Sequence, residues 1–178
     1  TFQLAEMNYA RQNWEEAQKQ YQQILQLKLD DEWTIKTLSA LGWSYFEDGK
    51  FDEAVASFEK LKKQFPNAKQ VAADAGYMQG MALLKANQNL KAAEAFMQTA
   101  QSFRSSEETT QGNELHHLAY RAAREAARTY RNLNEVDKSA EAYRLAYKEL
   151  RKQPETRNQN LDKLLDEWAL LHYENEEY

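Results

Sequence analysis

Four arginines, Arg121, Arg124, Arg128 and Arg131, stand within the stretch RAAREAARTYR. Their steps of three, four and three residues put them on one face of an α-helix. A guanidinium is a planar fork of donors that grips a carboxylate through two parallel hydrogen bonds, so the chemistry offered is recognition of an anionic group. The opposite face is small and apolar: Ala122, Ala123, Ala126, Ala127 and Tyr130. The whole chain carries a net charge of -5, so the basic row is a local feature of an acidic protein. Three fates are open to it: an acidic partner, neutralisation by the chain's own Asp162, Asp166, Glu167 and Glu174, or a solvated face of helix-favouring residues.

Other chemistry is sparse. The five glycines are scattered and form no phosphate-cradling loop, and no His-Glu-x-x-His or Asp-rich calcium loop occurs. The histidines are His116, His117 and His172. The adjacent pair lies about 100° apart around a helix and cannot share a face, so they read as surface histidines, not metal ligands. The acid pairs Asp30-Asp31 and Glu107-Glu108 fall where helices are expected to begin, where the helix dipole favours them. Without cysteine there is no disulfide, thiol nucleophile or Cys-based zinc site. No enzyme, metal or cofactor is expected.

The elements that must position the arginines follow from composition. Hydrophobic residues make up 42% and charged residues 29% of 178 residues, enough for a folded core. Only five Gly and two Pro occur among abundant Ala, Leu, Glu, Gln and Lys, which points to long helices. No apolar run approaches the roughly 20 residues of a membrane span. The acidic balance disfavours nucleic acid, which wants a basic surface. The chain begins Thr1-Phe2, as a processed or trimmed segment would.

One spacing recurs. Trp14, Ala17, Tyr21 and Ile24 step by three, four and three, and so do Phe51, Ala54, Phe58 and Leu61. Leu90, Ala93, Met97 and Ala100 repeat it, as do Val136, Ser139, Tyr143 and Ala146. Each is preceded by a polar turn, RQN, EDGK, NQN or NLNE. The clearest unit is residues 38–66, where Leu38, Leu41, Gly42 and Tyr45 make a helical stripe before the turn and Pro66 ends the second helix. Gly42 offers no side chain where Phe58 or Leu61 must approach the backbone, and Ala54 plays that part on the partner helix. First helices elsewhere carry Leu4-Ala5, then Tyr77, Gly80, Met81 and Leu84, then Ala123, Ala127 and Tyr130. In the third unit a register with Gly80 and Leu83 in the Gly and Tyr slots also fits. Successive second helices start 37, 39 and 46 residues apart. The excess lies in residues 103–117, a loop or a helix extension from near Ser105 or Ser106.

This pattern, Leu38-x2-Leu41-Gly42-x2-Tyr45, then Ala54-x3-Phe58, then Pro66, resembles the tetratricopeptide repeat, with Leu38 in place of the opening Trp. The resemblance implies an all-α, right-handed superhelical solenoid of antiparallel helix hairpins in a single domain over 1–178. Repeats fall at about 1–31, 32–68, 70–104 and 113–150, and a C-terminal helix at about 156–175 caps the last one through Leu161, Leu164, Leu165, Trp168 and Leu171. The stripe also suits the first helix of a further repeat. The phrase FPNAKQVAADAGYMQGMALLKANQNLKAAEAF, within residues 35–100, is similar to bacterial cell-envelope members of the family, the outer-membrane assembly lipoproteins and Tol-Pal partners. That likeness implies a periplasmic location, with the cytoplasm the alternative.

The family binds peptides in a concave groove lined by first helices. Carried over from Gly42, the groove residues are Tyr9 with Gln3 and Glu6; Lys36, Ser39, Trp43 and Phe46 with Ala40 and Glu47; Met78, Gln79 and Lys85 with Ala75 and Ala82; and Arg121, Arg124, Arg128 and Arg131 with Glu125 and Asn132. Trp43 and Phe46 serve equally well as packing residues. Trp43 and Arg128 fill slots where the family's chaperone-tail clamp has Asn, so that activity is not expected. The implied function is a non-catalytic scaffold that binds a peptide or protein carrying an acidic segment, without nucleic acid or membrane insertion. The alternative is a structural or oligomerisation segment of a larger repeat protein, including a homo-oligomer.

Overall fold

The computed structural model describes residues 1–102, 110–152 and 157–176. They form helices α1 (Phe2–Ala10), α2 (Trp14–Gln26), α3 (Asp31–Glu47), α4 (Phe51–Gln64), α5 (Lys69–Lys85), α6 (Asn89–Ser102), α7 (Thr110–Asn132), α8 (Val136–Leu150) and α9 (Arg157–Glu176). No strand occurs among the described residues. Two compact units divide the chain, Thr1–Asn87 and Gln88–Tyr178. In the first, each helix packs on the next from α1 to α5, and α3 also meets α5. In the second, α6 packs on α7, α7 on α8, and α8 on α9. Of the segment 103–117, residues 110–117 are the first turns of α7, while Ser105, Ser106 and Glu107-Glu108 lie outside the described residues.

One turn, used four times, sets the register of the repeats. Gln12, Gly49, Asn87 and Asn134 adopt positive φ of 62°, 76°, 58° and 58°. Glycine, and asparagine among L-residues, tolerate this left-handed conformation best. Each donates its N–H three residues back, to the carbonyls of Tyr9, Phe46, Leu84 and Arg131. The following residue caps the second helix, accepting from the N–H of Ala17, Ala54, Ala92 and Ser139. All four of those residues are completely buried.

The shared turn corrects the third repeat by one residue. Asn89, Ala92, Phe96 and Thr99 are the equivalents of Phe51, Ala54, Phe58 and Leu61, not Leu90, Ala93, Met97 and Ala100. Phe96 is fully buried, whereas Leu90 is 45% exposed. The spacings become 37, 38 and 47. Gly80, also buried, is then the counterpart of Gly42, the alternative register that the sequence left open.

Unit 1 is built around close helix approach. A Cβ on Gly42 would sit 2.8 Å from Phe58 Cε1, inside contact distance. Phe58, Leu38, Ala54, Leu61, Ala75 and Ala82 form one core, and Ala5, Ala17, Tyr21, Ile24 and Leu41 form the other. Asp30 caps α3 by accepting from Trp33 N–H, with Asp31 and Glu32 in the first turn, as the acid pair predicts.

A polar ring ties α2 to the α3–α4 turn. Buried Gln18 donates from Nε2 to Asp48 Oδ2 at 2.9 Å, and its Oε1 accepts from Lys50 Nζ at 3.1 Å. Lys50 closes the ring on Asp48 at 2.7 Å. Burial raises the Asp48 pKa, but the hydrogen bonds from Lys50 and Gln18 outweigh it and hold the carboxyl below its ordinary 3.8. A depressed carboxyl contributes stability above its unfolded pKa and loses it as pH falls through the folded value. Gln18→Ala is expected to cost about 2 kcal/mol at pH 7 and to flatten the acid limb of the stability profile below about pH 4. Denaturant melts at pH 7 and pH 3 check both; an unchanged difference between them would remove the ring from the account.

Candidate functional site

The shared turn places Lys36, Ser39, Trp43 and Phe46 of α3 at the same helical positions as Arg121, Arg124, Arg128 and Arg131 of α7. Glu6 and Tyr9 of α1 match Trp43 and Phe46. In α5 the matching residues are Asp74, Tyr77, Met81 and Leu84, with Lys85 following as Glu47 follows Phe46. The register correction therefore removes Gln79 from the first-helix face and moves Met78 to the position of Ala40. Met78 packs on the Phe58 core, and Gln79 Oε1 accepts from Lys62 Nζ at 2.9 Å. Ala75 and Ala82 are core residues for the same reason.

In unit 1 the face is aromatic. Trp43 is 39% exposed, although its ring meets Phe46 edge-on at 5.9 Å and Phe58 at 6.3 Å. Phe46 continues to Phe51 at 5.7 Å. Tyr9 packs edge-on against Trp14 at 5.2 Å, and burial raises its pKa, with Glu47 and Glu6 adding. Exposed Lys36 lies over the rings of Phe2 and Trp33, 5.2 Å from each centroid. Ser39 is half-buried and Lys85 is exposed. Trp43 and Phe46 thus do both things the sequence allowed: they pack, and they leave surface open. A separate depression of about 440 Å³, which the sequence does not signal, opens between α2 and α4 over Leu25, Leu38, Leu41 and Tyr45.

In unit 2 the face is basic, and α9 takes one of its arginines. Arg124 Nε donates to Glu167 Oε2 at 3.0 Å and Nη2 to Oε1 at 2.5 Å, the two-pronged geometry a guanidinium favours. Glu167 is thus a C-terminal acid that meets this row; Asp162 and Asp166 are exposed, and the Glu174 side chain lies outside the described residues. Arg128 reaches Glu125 only at 3.5 Å and keeps about half its side chain, 48%, in solvent. Arg121 is exposed and Arg131 half-buried. Beside them Trp168 stacks on Tyr143, 6.3 Å between centroids and 14° between planes. Burial raises the Tyr143 pKa, Arg131 opposes, Glu167 adds, and Arg128 and Arg124 oppose. Leu164 and Leu171 are buried and Leu161 and Trp168 partly so, but Leu165 is 42% exposed: the helix turns it away from α8.

His116 is not a surface residue. It is 5% exposed, and its Nδ1 lies 2.8 Å from Oε2 of the fully buried Glu149. Lys152 Nζ donates to both Glu149 oxygens at 3.1 and 3.2 Å. The periodicity that buries Ala123, Ala127 and Tyr130 carries back seven residues from Ala123 to His116, so the signal was present in the sequence. His117, next to it, is exposed, and burial followed by Arg121 lowers its pKa. No group of three or more His, Asp or Glu residues is arranged to hold a metal ion among the described residues, and no described helix is long and apolar enough to cross a membrane.

Comparison with known proteins agrees with this architecture. Tetratricopeptide repeat models match residues 1–64 and 39–108. A solved kinesin light chain protein from Podosopora anserina, with nearly identical TPR-like repeats, is similar over 98% of this chain and 94% of its own, at 14% identity and a TM-score of 0.50. MamA is similar over 83% of this chain and 95% of its own, at 18% identity and a TM-score of 0.40. No curated protein matches the chain. The repeats suggest a protein-interaction scaffold, and on the two models that together span residues 1–108 the chain belongs to the tetratricopeptide repeat family.

Proposed function

We propose that the protein is a non-catalytic scaffold that holds a partner protein against its first-helix faces. An apolar segment of the partner meets Trp43, Phe46 and Tyr9, and an acidic segment meets Arg128 and its neighbours. The observation that carries this reading is Trp43. A large aromatic ring 39% exposed at a first-helix position, backed edge-on by Phe46 and Phe58, is a rigid anchor of the kind enriched in binding hot spots. Tetratricopeptide repeat membership supports the scaffold role, and the likeness of residues 35–100 to cell-envelope members supports a periplasmic partner.

The test is affinity capture of the partner by wild-type, Trp43→Ala and Arg128→Glu chains. Arg128 is the right arginine to reverse, because Arg124→Glu would set two carboxylates against each other at Glu167 and loosen α9. Each single change is expected to weaken capture by about tenfold or more, with helix content and melting near wild type. Capture that survives both changes would remove the first-helix faces from the interaction. The structural alternative predicts a mass in solution above the monomer that falls when the exposed Trp43 is made polar.

A further inference from the structure

The depression of about 440 Å³ between α2 and α4 lies within the roughly 300–1,000 Å³ that ligand clefts span. Leu38, Leu41 and Tyr45 of α3 make its floor, and Leu25 of α2 extends it. This floor is on the side of α3 away from the first-helix face, because Trp43 follows Leu41 by two residues, about 200° round the helix.

The next repeat closes the same place with its own side chains. By the shared turn Leu25 corresponds to Lys62 and Leu41 to Gln79. Lys62 Nζ donates to Gln79 Oε1 at 2.9 Å, so a polar pair bridges α4 and α5 there. Between α2 and α3 two aliphatic side chains stand instead and leave an apolar gap. Covering that gap orphans no polar group of the floor. The Tyr45 hydroxyl accepts from Gln22 Nε2 at 2.5 Å, and Ser57 Oγ donates to the Glu53 carbonyl at 2.9 Å.

The walls decide what kind of ligand fits. The backbone groups of α2 and α4 are spent within each helix, so an extended peptide finds no ladder to join, whereas a helix arrives with its own hydrogen bonds made. Ala56, small and exposed in the middle of the α4 wall, lets such a helix come close. Charge then sets its direction. Glu53 and Lys60 stand at the two ends of the α4 wall, two turns or about 10 Å apart. Both are exposed, and neither enters a salt bridge among the described residues; the nearby Lys50 is held by Asp48. The α2 wall opposite is neutral, with Gln22 and Gln26. A helix antiparallel to α4 brings its N-terminal end to Lys60 and its C-terminal end to Glu53. An acid in its first turn and a base in its last then satisfy both rim charges and its own dipole.

We propose that the α2–α4 depression docks an amphipathic helix of a partner protein, antiparallel to α4, with the pattern Glu-x-x-Leu-Leu-x-x-Lys. Positions i, i+3, i+4 and i+7 share one helix face. The two leucines cover Leu25 and Tyr45, and the flanking charges span the same two turns as Glu53 and Lys60. This is a second protein-binding site, separate from the first-helix faces.

The experiment titrates the full-length chain into two fluorescent synthetic peptides, EAQLLAQK and KAQLLAQE, each embedded in the same alanine–glutamine helix. The wild-type chain is expected to bind the first at least about tenfold tighter than the second. The double variant Glu53→Lys with Lys60→Glu, changed only at exposed sites, should reverse that preference. Reversal in the chain separates rim charge from the peptides' own helix propensities. Ala56→Phe, which fills the α4 notch, should weaken the first peptide at least about tenfold with helix content unchanged. Failure of the wild-type chain to bind the first peptide, an unreversed preference in the double variant, or undiminished binding by Ala56→Phe overturns the proposal. Saturable uptake of a small apolar dye that Ala56→Phe abolishes, without peptide binding, assigns the depression to a small molecule and overturns the helix.

Discussion

Replacing His116 with leucine is expected to lower the stability of the protein by about 3 kcal/mol at pH 7, the cost of leaving a buried carboxylate without one of its hydrogen-bond partners. The imidazole is 5% exposed and 2.8 Å from a fully buried Glu149, so its removal leaves a carboxylate in the core with Lys152 as its cation. Changing both His116 and Glu149 to leucine removes the charge that needed compensation. The double variant is expected to recover most of the loss, because replacing both partners of a buried hydrogen bond by apolar groups is often nearly neutral. Denaturant unfolding of the two single variants and the double gives the coupling energy directly. Losses that simply add would mean that His116 and Glu149 do not act as a pair.

The second large effect lies at Gly42 and Phe58. Phe58→Ala is expected to cost about 3–5 kcal/mol, since it empties the centre of the unit 1 core. Gly42→Ala alone is expected to cost about 1–2 kcal/mol: the added Cβ would lie 2.8 Å from the Phe58 ring, and the resulting overpacking outweighs the better helix propensity of alanine. In the Phe58→Ala background the same change should become neutral or mildly stabilising, by up to about 1 kcal/mol. Thermal or urea melts of the four proteins check this reversal of sign, and a Gly42→Ala cost that persists without the ring would refute steric contact as its cause.

The repeat was legible because its determinants are local. Ala54, Phe58 and Leu61 sit on one helix, their spacing is the helical period, and Gly42 answers Phe58 from the preceding helix. The third repeat was misread by one residue because alanines stand at both 92 and 93, so apolar content could not choose between two stripes. The turn chooses: Asn87 is in the left-handed conformation, as Gly49 and Asn134 are. Gln79 left the first-helix face with that correction. His116 was misplaced because residue type was weighed above position.

By itself the sequence determined the all-helical repeat, the faces of each helix and the arginine row, since periodicity, turn chemistry and small residues at helix contacts act within one or two neighbouring helices. Tertiary structure alone decided what meets those faces. That Glu167, and neither Asp162 nor Asp166, receives Arg124 depends on the rotation of α9 about its own axis, fixed by Leu164, Leu171 and the stacking of Trp168 on Tyr143. That His116 finds Glu149 depends on two helices meeting at residues 33 apart in the chain. Such pairings are set by the packing of whole helices, and no spacing within a single helix encodes them.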